Sequence, residues 1–308
     1  MEFLYMLEKI RLPGLNEFML AITTLGEETA FLAIALICFW CVDKKRGYLL
    51  MSVGFLGTMA NQFMKLWFRI PRPWVLDKNF TILEQAREAA AGYSFPSGHT
   101  TMAFGTFGSL AVTSGRRWLR VSLAVLAVLV GISRMYIGVH TPQDVLVGAL
   151  TSIVLIAVLY PVVYRAGEKG MKILVASMIA FALLLLAFVK RYPFPADVDA
   201  HNLESGVKNA YTMLGSLIGV AVVYVAEKKF VNFSTKAVWW AQILKAVLGL
   251  ALVLAVKEGL RTPLEALTGD PLTARMVRYF AIVVTAGFLW PMTFRWFSKL
   301  GAKMEENT

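Results

Sequence analysis

The chain has 308 residues, of which 57% are hydrophobic and 17% charged, and its formal net charge is +11. That balance excludes an ordinary water-soluble domain, and the basic residues sit in connectors rather than in one contiguous stripe, which favours a membrane surface over nucleic acid as their partner. Two cysteines, Cys38 and Cys41, are too few for a disulfide framework or a tetrahedral zinc site and read as small helix residues.

In chain order, residues 1–24 open with alternating polar and apolar side chains, Glu2, Glu8 and Lys9 among them. They lack a basic head before an apolar run, so they predict an amphipathic, interfacial amino-terminal segment rather than a cleavable signal. Apolar stretches of membrane-crossing length then recur at about residues 25–43, 47–68, 99–114, 118–135, 143–165, 171–190, 209–227, 239–257 and 277–297. The expected fold class is all-α, a polytopic membrane helix bundle with about nine transmembrane helices: a six-helix core over 25–190 and a three-helix membrane extension over 191–308. Between the second and third spans, Thr81 and Glu84 have capping-box spacing ahead of an Ala-rich run that Gly92 can end. This predicts a short helix over 81–91, a lid or brace on the membrane surface.

Short basic connectors set the orientation. Lys44, Lys45 and Arg46 fill one; Arg116, Arg117 and Arg120, then Arg165, Lys169 and Lys172, then Lys228, Lys229 and Lys236, and finally Arg295, Lys299 and Lys303 fill the others. With nine spans all five fall on one side, the cytoplasmic one. The amino terminus and the long connectors 69–98, 191–208 and 258–276 then lie outside.

Three polar clusters stand at the outer ends of these apolar helices, where an ionisable side chain needs a reason to be. Lys65 and Arg72 are seven residues apart, close to two helical turns, although Pro71 and Pro73 put the last turn in question; either residue alone would be a snorkelling side chain. Pro96-Ser97-Gly98-His99 precedes an apolar helix. Its glycine and the free N–H groups of a helix start suit a phosphate, while Ser97 alone could be no more than a helix cap. Ser133-Arg134 is followed by His140 and Asp144, with Thr141 and Pro142 as the start of a helix. Asp144 is therefore either a capping carboxylate or the partner that fixes the tautomer of His140. Asn61 and Gln62, one turn before Lys65, read first as interhelical hydrogen-bonding groups, and His201, among Asp197, Asp199 and Glu204, as part of a solvated loop.

Together these motifs resemble the type 2 phosphatidic acid phosphatase (PAP2) superfamily: Lys65 to Arg72-Pro73, Pro96-Ser97-Gly98-His99, and Ser133-Arg134 to His140 and Asp144, over about residues 47–165. Nine helices with an external amino terminus are similar to the layout of its glucose-6-phosphatase branch. The resemblance implies a membrane phosphatase acting on a lipid phosphomonoester or polyprenyl diphosphate. In it His140 attacks phosphorus, Asp144 holds His140, and His99 protonates the leaving oxygen. Lys65, Arg72, Ser97, Gly98 and Arg134 bind the phosphoryl oxygens. It implies no metal and no cofactor, and the partners are the lipid phosphate substrate and the surrounding membrane lipids. A lipid-to-lipid phosphotransferase and a non-catalytic lipid-phosphate carrier are the competing readings, the second disfavoured because binding alone needs neither histidine.

Overall fold

The computed structural model describes residues 1–87, 90 and 92–300, and among them every regular element is helical. In chain order the helices are α1 (Glu2–Lys9), α2 (Pro13–Thr24), α3 (Glu28–Ile37, running on as a π-helical turn Cys38–Val42), α4 (Lys44–Phe68), α5 (Pro73–Leu76), α6 (Gly98–Thr113) and α7 (Arg117–Tyr136). They continue with α8 (Pro142–Arg165), α9 (Gly167–Arg191), α10 (Ala200–Ala226), α11 (Trp239–Gly259), α12 (Arg261–Thr268), α13 (Pro271–Val284) and α14 (Phe294–Phe297). Proline sits in the first turn of α2, α5 and α13, where its missing N–H costs nothing. Asp270 caps α13 by accepting from the N–H groups of Leu272 and Thr273.

A helix occupies each of the nine expected spans, but among the described residues six continuous helical runs are long and apolar enough to cross a membrane, Trp239–Thr268 (α11 with α12) and Pro271–Phe297 (α13 through α14) among them, or seven if the pair Pro13–Thr24 and Glu28–Val42, bent by 51°, is one span. The two that fall short are informative. α6 has only 16 residues, and α4 carries Lys44, Lys45, Arg46 and Lys65 together with Asn61 and Gln62. Both are helices that carry the polar clusters.

Of the helix expected over 81–91, the described part shows no α-helix but the 3-10 turn Glu84–Ala86 and a 3-10 conformation at Ala90, and Glu88, Ala89 and Ala91 lie outside the described residues. Thr81 has been diverted from capping. Its N–H and hydroxyl both bond the Glu8 carboxylate, and its carbonyl accepts from Arg11 Nη1 at 3.0 Å. A helix start whose cap is engaged elsewhere loses its nucleus.

The chain forms two compact units. The first comprises residues 1–34, 49–161 and 192–206. Its centre is the packing of α6 on α7, with Ala103, Phe107, Leu123, Ala127 and Val130 buried and Ile22, Leu25 and Ile34 closing over them. Small residues at the contact let helices approach where lipid supplies no hydrophobic drive. A second cluster, Leu4, Phe80, Ile82 and Met135, seats α1. Arg11 then ties this segment down, donating from Nε to the Tyr136 carbonyl at 3.0 Å, while the Tyr136 hydroxyl donates to Asn16 at 2.7 Å.

The second unit comprises, among the described residues, 35–48, 162–191 and 207–300. In it Gly215 and Gly219, one turn apart on α10, abut the Met276 backbone and Val283 of α13. Trp40 donates from Nε1 to the Ala286 carbonyl at 2.8 Å. Glu227, 1% exposed, accepts from Lys44 Nζ at 2.6 Å and from the Phe233 N–H at 3.2 Å, so this buried charge is paired and hydrogen-bonded.

Candidate active site

The turn from α7 into α8 is built by its own backbone. Gly138, at φ +87°, continues the chain past the end of α7, and a side chain there would meet Arg11 Nη2 at 2.8 Å. The N–H groups of Val139 and His140 return to the Arg134 carbonyl at 3.1 and 3.3 Å. Thr141 and Asp144 then cap α8 reciprocally: the Thr141 N–H donates to Asp144 Oδ2 at 2.8 Å, and the Asp144 N–H donates to Thr141 Oγ1 at 3.3 Å. The same Oδ2 lies 3.3 Å from His140 Nδ1 and accepts from the Ser94 hydroxyl. Asp144 is thus both cap and imidazole partner.

Arg72 arrives by a different route from the one its spacing suggests. α4 stops at Phe68, Arg69 takes the left-handed region at φ +50°, and Arg72 is the residue before α5 rather than a position on a continued α4. The guanidinium donates from Nε to the Gly92 carbonyl at 3.0 Å and from Nη1 to the Val139 carbonyl at 2.9 Å. The same Nη1 stands 2.9 Å from His140 Nε2.

A guanidinium only donates, so Nε2 accepts, and the ring proton belongs on Nδ1 facing Asp144. Burial first, then the charges of Arg72, Arg134 and Lys65 and the nearby His99 ring, hold the His140 imidazole well below its ordinary value. Burial lowers Arg72 to about 10, against the pull of Asp144, so it stays cationic at neutral pH. The sign for activity follows: the neutral ring that leaves Nε2 unprotonated persists as pH falls past the ordinary histidine value of about 6.5. The acid limb of kcat/KM is therefore expected well below that value, and a pH–rate series on the purified protein checks it. An acid limb at or above it would contradict the arrangement.

The remaining site residues come from α4, α6 and α7. Lys65, Gly98 and His99 line one cavity of about 230 Å³ together with Gly26, Glu27, Glu28, Asn61 and Gln62. Ser97 is fully buried and acts as the cap of α6, accepting from the N–H and hydroxyl of Thr100 at 3.4 and 2.9 Å, while its own N–H donates to the Asp144 carbonyl at 3.0 Å. Ser97 is therefore a helix cap, and it also joins the second motif to the third. Asn61 donates to Thr101 Oγ1 at 3.2 Å, the interhelical role expected of it. Arg134, 2% exposed, donates from Nη1 to Thr23 at 2.7 Å, and its Nε has no partner among the described residues.

Several contributors escape the motifs. Ser94 bonds Asp144, and Thr23 anchors Arg134. Asn202 accepts from the Tyr93 N–H at 3.1 Å and packs against Gly92, at φ +85°, whose carbonyl holds Arg72. The relevant polar group is thus the neighbour of His201. Gly26 lies so close to α6 that an added Cβ would stand 2.8 Å from the His99 carbonyl and 3.0 Å from its Cβ. Gly26→Val is expected to displace His99 and lower kcat/KM about tenfold or more, since a misplacement of 1 Å at a reacting group can cost about a hundredfold. Steady-state kinetics on the variant tests this, with the thermal midpoint as control.

Comparison with known proteins adds independent findings. Residues 46–168 match the model of the PAP2 superfamily, and residues 211–303 match that described as the PAP2 superfamily phosphatase, transmembrane extension. The chain is 32% identical over 152 residues to phosphatidylglycerophosphatase B of Bacillus subtilis, covering 45% of this chain and 70% of that one. It is 33% identical over 132 residues to the undecaprenyl-diphosphatase BcrC of the same organism, covering 42% of this chain and 65% of that one. Among solved structures, LpxE of Aquifex aeolicus is similar at a TM-score of 0.47 and 29% identity, over 51% of this chain and 92% of that one.

Proposed function

This chain belongs to the PAP2 superfamily of phosphatases, and from that premise we propose that it removes phosphate from a lipid phosphomonoester or polyprenyl diphosphate through a phosphohistidine on His140, at the extracytoplasmic face of the membrane. The observation that carries the mechanism is the 2.9 Å contact between Arg72 Nη1 and His140 Nε2, with Asp144 on the opposite ring nitrogen. The unprotonated ring nitrogen, whose lone pair accepts from Arg72, faces a cation able to turn to phosphoryl oxygens when substrate binds. Nucleophile and charge clamp therefore share one locus.

Phosphoryl transfer needs little covalent help from a protein beyond positioning and stabilisation of charge on the equatorial oxygens. Lys65, Arg72 and Arg134 supply that charge, with the Gly98 N–H at the start of α6 and Ser97 beside it. His140 Nε2 bonds to phosphorus as the bond to the leaving oxygen breaks, and His99 gives that oxygen its proton. Asp144 stabilises the positive charge that develops on the His140 ring. His99 then takes a proton from water, whose oxygen displaces Nε2 and releases inorganic phosphate. The orientation is supported by the five basic short segments, which with nine spans favour an outer position for the loops carrying Arg72 and His140.

A panel of phosphatidic acid, phosphatidylglycerol phosphate, a polyprenyl diphosphate, a sphingoid phosphate and glucose 6-phosphate, assayed for phosphate release with His140→Ala as the blank, tests the reading. Release equal to the blank on every substrate overturns it. Phosphate passed to an added lipid alcohol in place of water would establish the phosphotransferase instead.

A further inference from the structure

Within the second unit, two adjoining cavities of about 210 and 180 Å³ share Glu168, Tyr224 and Lys228 in their walls. They lie where α4 and α9 begin and α10 ends, so three of the five basic connectors meet there. Lys172 and Lys229 line the larger cavity and Lys45 the smaller, so among the described residues four ammonium groups face one carboxylate. That carboxylate, Glu168, is held by Lys172 at 2.8 Å and lies 3.9 Å from Lys228, which also donates to the Tyr224 hydroxyl at 3.0 Å. The charge left over is positive.

Exposed lysines at helix ends alone would be a solvated face, but a buried donor stands among them. Tyr48, in the wall of the smaller cavity, is 8% exposed, and its hydroxyl has no hydrogen-bond partner among the described residues. Its ring packs edge-on against Tyr224 at 5.7 Å. Buried tyrosine hydroxyls ordinarily find a partner, so this one and the ammonium groups share a need for oxygen acceptors. The first turn of α9, which brings Gly167 and Glu168 to the smaller cavity, adds the positive end of its dipole. Val225 lines the larger cavity, and with Val222 and Ile218 it forms an exposed apolar stripe along α10, at helical spacing. A free phosphate ion gains nothing from such a stripe, whereas an acyl chain does. We infer that these cavities seat the headgroup of an anionic phospholipid, its phosphate oxygens accepting from Lys45, Lys228 and the Tyr48 hydroxyl while an acyl chain lies along Ile218, Val222 and Val225. In the proposed orientation this end of the helices meets the inner leaflet, whose anionic lipids attract basic pockets between helices.

The test titrates the full purified chain, in neutral detergent, with phosphatidylglycerol, phosphatidylcholine or inorganic phosphate and takes Kd from the rise in thermal midpoint. Phosphatidylglycerol is expected to bind about tenfold or more tightly than either of the others. Lys45→Gln and Lys228→Gln should each weaken it about fivefold, the scale of one lysine near an anionic headgroup. Lys236→Gln removes the same charge from an exposed connector position outside both cavities and should leave the Kd unchanged. Tyr48→Phe gives a readout that a packing role would not: without lipid its midpoint should hold or rise, because the deleted hydroxyl has no partner, yet phosphatidylglycerol should bind about fivefold more weakly. Equal affinity for phosphatidylglycerol and phosphatidylcholine overturns the inference, as does inorganic phosphate binding as tightly as the lipid. Loss in Lys236→Gln as large as in Lys228→Gln, or wild-type affinity in Tyr48→Phe, overturns it as well. Phosphatidylglycerol carries no terminal phosphoryl group, so the same results are expected in His140→Ala, and the phosphatase reading stands or falls separately.

Discussion

Replacing His140 with alanine is expected to reduce phosphate release by about a thousandfold or more, the scale on which removal of a nucleophile acts when the rest of its site remains. The ring is 2% exposed and spans the distance between Arg72 and Asp144, so its loss removes the bond-forming atom and unlocks its neighbours. A stability readout separates the two effects. The variant should retain a cooperative thermal transition, because the turn that carries residue 140 is held by the backbone bonds to the Arg134 carbonyl and by the Thr141 and Asp144 cap, none of which uses the imidazole. Rapid quenching of the wild type with phosphorus-labelled lipid should trap label that is acid-labile and base-stable. Near-native turnover in His140→Ala, or no trapped label under single-turnover conditions, would reject a phosphohistidine.

The second large effect concerns Arg72. Arg72→Lys preserves charge, yet it is expected to lose about a hundredfold to a thousandfold in kcat/KM, nearly as much as Arg72→Ala. The guanidinium reaches three acceptors at once, the Gly92 and Val139 carbonyls and His140 Nε2. An ammonium on a flexible stem cannot reproduce that planar fork. Lysine would therefore leave a buried carbonyl unsatisfied and the imidazole unrestrained. A kinetic comparison of the two variants decides it, and full activity in the lysine variant would mean that Arg72 acts as a point charge alone.

What the amino-acid sequence disclosed about this site was its charge and its chemistry; what it withheld was the route by which distant segments reach it. Lys65, Arg72, Ser97, Gly98, His99, Arg134, His140 and Asp144 were each legible, because ionisable groups and a glycine at the ends of apolar helices are costly without a purpose. Arg72 was legible as a residue but not as a geometry, since helical periodicity carries no information past the left-handed Arg69. Thr23 and Gly26 were invisible because their partners, Arg134 and His99, are contributed by helices far along the chain. The start of the helix expected over 81–91 departs from its expectation for a related reason: local capping chemistry at Thr81 is real, but Glu8 and Arg11 compete for it. The nine apolar stretches are helical, whereas among the described residues the spans that meet a strict length and apolarity requirement number six or seven, because α6 has only 16 residues and α4 carries charged and amide side chains of the polar clusters.

The anchor formed by Arg11 has a consequence for biogenesis. Its acceptor on Tyr136 lies 125 residues further along the chain, so at ordinary ribosome speeds roughly ten seconds pass before the two can meet. Several hydrophobic segments will by then have entered the bilayer. The turn that carries His140 is consequently braced from behind only once both partners have been made, and its completion is a late docking event between segments far apart in the chain.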